Sequence, residues 1–240
     1  MKKSNPIYAT IPITLLKNIH KDQLGTIRKM FDYAIYDRMI KDFPELISEF
    51  TTNEIELSMQ YFNLKPTDLK RILEDGQQIY FNHKSAPNAS INIEILNKFR
   101  QYKAEFDLMV FCSFCAFKSM IGTKSYFKTT NDYLLSRMFG YVNLEEYRNS
   151  NVTEEEQNLM IRYSKRYWLD KIKVALQDDW YLIYYSYKNK GFFVSFTMSL
   201  TALVNIAEDR KDKSKLKQLE RKQDIQKALD QRKSKKNNTI

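Results

Sequence analysis

Residues 162–196, RYSKRYWLDKIKVALQDDWYLIYYSYKNKGFFVSF, decide the fold. To about residue 178 the spacing is helical. Trp168, Ile172, Ala175 and Leu176 fall at i, i+4, i+7 and i+8, so they are expected to face a core. Arg162, Arg166 and Lys173 share the opposite face, with Lys165 beside them, so a cationic stripe is expected to look outward. Residues 180–187, WYLIYYSY, are rich in β-forming aromatics. Lys188, Asn189, Lys190 and Gly191 supply a turn, and residues 192–198 return. A β-hairpin with a basic tip is expected.

Working upstream, residues 124–129 (KSYFKT) read as a short strand. Thr129 is placed to cap a helix over 131–139, whose apolar residues are Leu134, Leu135, Met138 and Phe139; Gly140 ends it. Thr153 and Glu156 form a capping-box pattern that opens the helix running to about residue 178. Between them, residues 144–147 can add a turn of helix. Residues 93–121 show one long helical pattern, apolar on nearly every face in its second half and ended by Gly122. Residues 81–90, with Pro87, read as a loop. In the first third, residues 7–13 make one short strand. Asp22 caps a helix to about Phe43, stopped by Pro44. Thr52 or Asn53 caps a helix to Phe62, and Pro66 opens another to about Tyr80. The two meet across 63–65 as a helix-turn-helix pair.

A helix, a short helix, a longer helix and a hairpin tipped Lys-Asn-Lys-Gly together resemble the winged-helix DNA-binding domain. KSYFKTTNDYLLSRMFG (124–140) and residues 162–196 carry the resemblance, with the helix before them. It implies a supporting helix at 131–139, a recognition helix at 162–178 and a wing at 188–191. The residues it implies at DNA are Lys128, Asn131, Arg137, Arg162, Lys165, Arg166, Lys173, Lys188, Asn189 and Lys190. The connection across 141–152 departs from the family's usual three or four residues. A second, earlier helix-turn-helix makes the architecture similar to plasmid and phage replication initiators with tandem winged helices.

Composition fits a mainly α protein. The 240 residues include only five glycines and five prolines, about a third of ordinary usage. The closest glycines are eighteen positions apart, so neither GxGxxG nor GxxxxGK[ST] exists. There is no HExxH, no GxSxG, and no histidine beside a nucleophile, so no enzyme is expected. Cys112 and Cys115 lie in an apolar run and read as reduced core thiols. No metal or other cofactor is implied. Residues 108–117 are too short to span a bilayer, and residues 7–16 are interrupted by Pro12 and two threonines with no A-x-A site. Neither membrane association nor a signal peptide is expected, and the cytoplasm is the expected compartment.

Net charge is +10, and residues 210–240 hold twelve Lys/Arg against four acids. Such an arm attracts polyanions through counterion release. The expected organisation is a helical domain at 1–90, a winged helix at 91–209 and a basic tail at 210–240. The expected partner is double-stranded DNA, bound by a regulator or initiator that can dimerise. A competing expectation is a protein-interaction scaffold, with Leu216, Leu219, Ile225 and Leu229 as the docking stripe of the tail.

Overall fold

The computed structural model describes residues 6–46, 49–65, 68–186 and 191–237, and side chains as far as Lys227. The chain opens with β1 (Tyr8–Pro12) and a 3-10 turn, Ile13–Asn18. Then come α1 (Gln23–Asp42), α2 (Thr52–Tyr61), α3 (Leu69–His83), β2 (Asn88–Asn92) and α4 (Ile93–Lys98). The second half holds α5 (Glu105–Ile121), β3 (Phe127–Thr129), α6 (Asn131–Met138), α7 (Leu144–Arg148), α8 (Glu154–Ser164) and α9 (Arg166–Trp180). It closes with β4 (Ile183–Ser186), β5 (Phe192–Ser195) and α10 (Leu200–Asn237). The protein is mainly α-helical, with two small antiparallel sheets, β1-β2 and β3-β5-β4.

The caps explain most helix starts. Asp22 accepts from the Gly25 amide at 2.9 Å and starts α1 where expected. Thr51, one residue before the expected cap, makes a reciprocal box with Glu54. Thr130, not Thr129, caps α6 by accepting from the Tyr133 amide, since Thr129 is held in β3. Pro66 lies outside the described residues, and α3 begins at Leu69. Of residues 81–90, expected as a loop, only 84–87 are irregular. Helix α3 runs through His83, and residues 88–92 form β2, because Ala89 and Ile91 face the core opposite Ile11 and Ala9. The boundary expected at 90/91 falls inside that strand.

Two long helices expected from spacing are each broken. Residues 93–121 divide at 99–104, where buried Gln23 intervenes. Its amide nitrogen donates to the carbonyls of Phe99 (2.9 Å) and Gln101 (2.7 Å), and its oxygen accepts from the Lys103 amide (3.1 Å). The side chain takes the place of intrahelical bonds there. Residues 154–180 divide at Lys165, whose backbone is extended (φ −66°, ψ 135°). Tyr163 and Ile172 are nine residues apart, two and a half turns of a straight helix, and would point opposite ways. Both are buried, at 1% and 0% exposure, so the break turns two apolar faces to one core.

Helix α5 is the centre, buried on nearly every face, and meets β2, α6, α9 and β5. Cys112 and Cys115 sit in it as free, buried thiols, with burial raising both pKa values. Trp180 ends α9 and packs on Phe99 and Phe114, so the strand begins at Ile183 rather than 180. In β5, Phe192 and Val194 face the main core. Phe193 faces the other way, onto Leu203 and Ala207 of α10. Both faces of that central strand are therefore covered.

Acidification is expected to weaken this core before carboxylates titrate. His83 is hydrogen-bonded to Thr14 (2.7 Å), and Nε2 of His20 is buried without a hydrogen-bond partner in the structure. Burial holds both imidazoles below the ordinary value of 6.5, with Lys17 and Lys29 adding to the effect at His83. Below pH 6.5 the unfolded chain binds more protons than the folded one, so stability falls with pH until the folded values are passed. Urea midpoints taken between pH 7.5 and 5.5 should decline, and His83→Gln should flatten that decline.

Candidate nucleic-acid interface

Helix α9 buries Leu169, Ile172, Lys173 and Leu176. Its opposite side carries Arg166, Tyr167, Asp170, Lys171, Val174, Gln177 and Asp178, all exposed. The expected all-cationic stripe is therefore corrected. Leu169 lies between Arg166 and Lys173 on the helix surface, and its burial takes Lys173 inward with it. The outer face holds two cations and two acids, with hydrogen-bonding and apolar groups between them. Arg166 is 92% exposed at its side chain and reaches Asp170 at only 3.4 Å. An exposed pair of this kind holds its partners weakly. Tyr167 is 60% exposed, whereas Tyr163 is core.

Lys173 has an inside role. Its Nζ lies 3.3 Å from Asn131 Oδ1, 3.6 Å from Asp170 and 4.4 Å from the centre of the Phe192 ring. Burial lowers its pKa. It ties α9 to the start of α6 and to β5. Because none of these contacts is close and fully charged, Lys173→Met is expected to leave the unfolding free energy unchanged or raise it by about 1 kcal/mol. Lys173→Ala, which also leaves a void, should lower it by about 2 kcal/mol. Denaturant unfolding of the two variants separates charge from packing.

The other expected residues scatter. Arg162 is on α8, turned from α9 by the break, and pairs with Glu105 of α5 at 2.7 Å; Tyr163 also donates to Glu105, at 3.0 Å. Arg137 is buried. It donates to the Tyr133 hydroxyl at 2.6 Å, and its Nε and Nη1 have no hydrogen-bond partner in the structure. Its guanidinium lies 5.1 Å from the centre of the Tyr133 ring, one turn back on the same helix, away from solvent. Lys128, Asn131 and Lys165 are exposed, the first on β3, the second at the first turn of α6, the third at the α8–α9 corner. Lys188, Asn189 and Lys190 lie outside the described residues. The structure thus brings Lys173 and Asn131 together and separates Arg162 and Arg137 from α9's outer face.

Sequence reading missed Lys171, Val174 and Gln177. The signal was present. Taking Leu169, Ile172 and Leu176 as the inner face puts these three outside, but the assumed straight helix set the phase from Arg162. Among the described residues no group of three His, Cys, Asp or Glu could hold a metal ion. No described helix is long and apolar enough to cross a membrane. No protein-family model, curated protein or solved structure matches the chain.

Proposed function

We propose that the protein binds double-stranded DNA through a winged helix made of α5, β3, α6, α9 and the β4–β5 hairpin. The carrying observation is the strand order. β3 precedes the four helices α6 to α9 and β4–β5 follows them, yet β3 pairs with β5, register Phe127 with Val194, so α6 and α9 are bracketed in the chain by strands of one three-stranded sheet. In this reading α9 is the helix that enters the major groove. Its outer face suits that task, since base edges present donors, acceptors and methyl groups and are read by a mixed set of side chains. Arg166, Lys171 and Gln177 supply donors, Asp170 an acceptor, Val174 and Tyr167 apolar contact. Asn131, Lys165 and Lys128 then serve as phosphate contacts that set position. The setting is transcriptional control or replication initiation.

A second reading, a protein-interaction scaffold, is favoured by α10, where Leu216, Leu219 and Ile225 are each more than half exposed. Binding-site selection on random duplex DNA decides between them. It is run with the full chain and with a chain ending at Gln218, at two salt concentrations. An enriched motif that survives the shortening is the expected result. Binding without enrichment, lost with the tail and steep in salt, overturns the sequence reader and leaves the scaffold.

A further inference from the structure

We propose that the groove between β3 and the stretch of α10 from Ala207 to Gln218 is a phosphate-binding site, built to hold one phosphate group of a nucleic-acid backbone. The assignment of nucleic acid rests on the reading above; the affinity for phosphate oxyanions rests on the groove alone.

Helix α10 changes character along the face that meets the sheet. Leu203 and Ala207 pack on Phe193. One to three turns further on, the same side of the helix carries Arg210, Lys211, Ser214 and Gln218. The apolar docking face gives way to hydrogen-bond donors where the sheet runs out. A groove of about 160 Å³ opens there, floored by Phe193 and Ala207 and edged by Lys128 and Lys215 as well. Four cations and two neutral hydrogen-bonding side chains line it, with no carboxylate among them.

The cations are positioned by packing. The Arg210 guanidinium lies 5.3 Å from the Tyr126 ring centre and 5.8 Å from that of Phe193, and Nη2 donates to the Tyr126 hydroxyl at 3.0 Å. Lys128 Nζ comes to 5.7 Å from the same Phe193 ring, from the other side of the groove. Two chain segments more than eighty residues apart thus bring positive charge to one aromatic floor. Lys211 pairs with Glu208 at 2.8 Å and Lys215 with Asp212 at 3.5 Å. Both are partly exposed pairs within one helix, and such pairs yield readily to a dianion or diester that meets several cations at once.

The test is the full chain carrying Lys128→Glu with Lys215→Glu. Both residues are exposed, so the fold is kept, and Arg210 is left in its packing place. Binding to a fixed random-sequence duplex is followed by fluorescence anisotropy from 50 to 300 mM salt. Loss of this one phosphate contact should lower the slope of log Kobs against log salt by about 1. An unchanged slope overturns the proposal and removes Lys128 from the phosphate contacts, while leaving the reading of α9 in place. If the unaltered chain binds no duplex, that reading falls and the groove is judged by titrating inorganic pyrophosphate. Amide shifts confined to Lys128, Ser214 and Gln218, and lost in the double variant, support it. Their absence overturns it.

Discussion

Gly140→Ala is expected to lower the unfolding free energy by about 3 kcal/mol. Gly140 follows α6 with φ +80°. An added Cβ would lie 2.7 Å from the Lys17 amide nitrogen and 3.0 Å from the Ile13 carbonyl oxygen. The left-handed backbone alone disfavours a side chain by roughly 1–2 kcal/mol. The contact adds to this, because its partners are main-chain atoms of the 3-10 turn, which cannot swing aside as a side-chain tip can. That turn holds Ile13, Leu15 and Leu16 in the core, so shifting it disturbs a buried seam. Gly76→Ala is the informative comparison. Gly76 is helical, and its nearest contact is the Asp32 carbonyl at 3.3 Å, tight but adjustable. Alanine's helix propensity gains about 1 kcal/mol there, and the net change should be within about 1 kcal/mol of zero. Urea unfolding of both variants gives the contrast. A Gly140→Ala protein as stable as the parent would mean the α6 terminus can separate from the 3-10 turn freely.

Arg166→Ala with Lys171→Ala is expected to weaken binding to the selected DNA site about 100-fold or more while changing random-sequence binding far less. Each well-made contact from such a side chain to a base edge is worth roughly 1–3 kcal/mol of discrimination. Both side chains are on the outer face of α9, with no buried group left unpaired by their removal. Thermal unfolding should therefore move little. Competition between specific and random duplexes separates a loss of reading from a loss of charge. An equal fall for both duplexes would assign these residues to the backbone and send the search for base contacts elsewhere. Lys173 is unsuited to this experiment, since changing it disturbs the α6–α9–β5 junction.

Much of the fold was legible because local signals agreed. Asp22, Thr153 and Gly122 marked helix ends correctly, and the 3.6-residue pattern of Leu134, Leu135 and Met138 located α6. The hairpin was readable from aromatic runs on either side of Gly191. Illegible were features set by distant partners. Nothing near residues 99–104 announces a break, because the groups that satisfy that backbone belong to Gln23. Nothing near Lys165 does either: no proline or glycine is present, and only the demand that Tyr163 and Ile172 share a core bends the chain. The candidate interface suffered from the same cause. One misplaced straight helix carried Arg162 onto the wrong element and Lys173 onto the wrong face. Burial of Arg137 was equally hidden, since an arginine near a helix end is ordinarily exposed.

The pairing of residues 8–12 with 88–92 has a consequence for the order of synthesis. β1 leaves the ribosome before its partner strand, which follows about eighty residues later. At roughly 5–20 residues per second, it waits about 4 to 16 seconds with its edge open. Helices α1 to α3 are all made in that interval, so they can assemble before the sheet closes over them. The strand is brief, and Pro12 at its end lacks an amide hydrogen, two traits that blunt an idle edge against pairing with a neighbouring nascent chain.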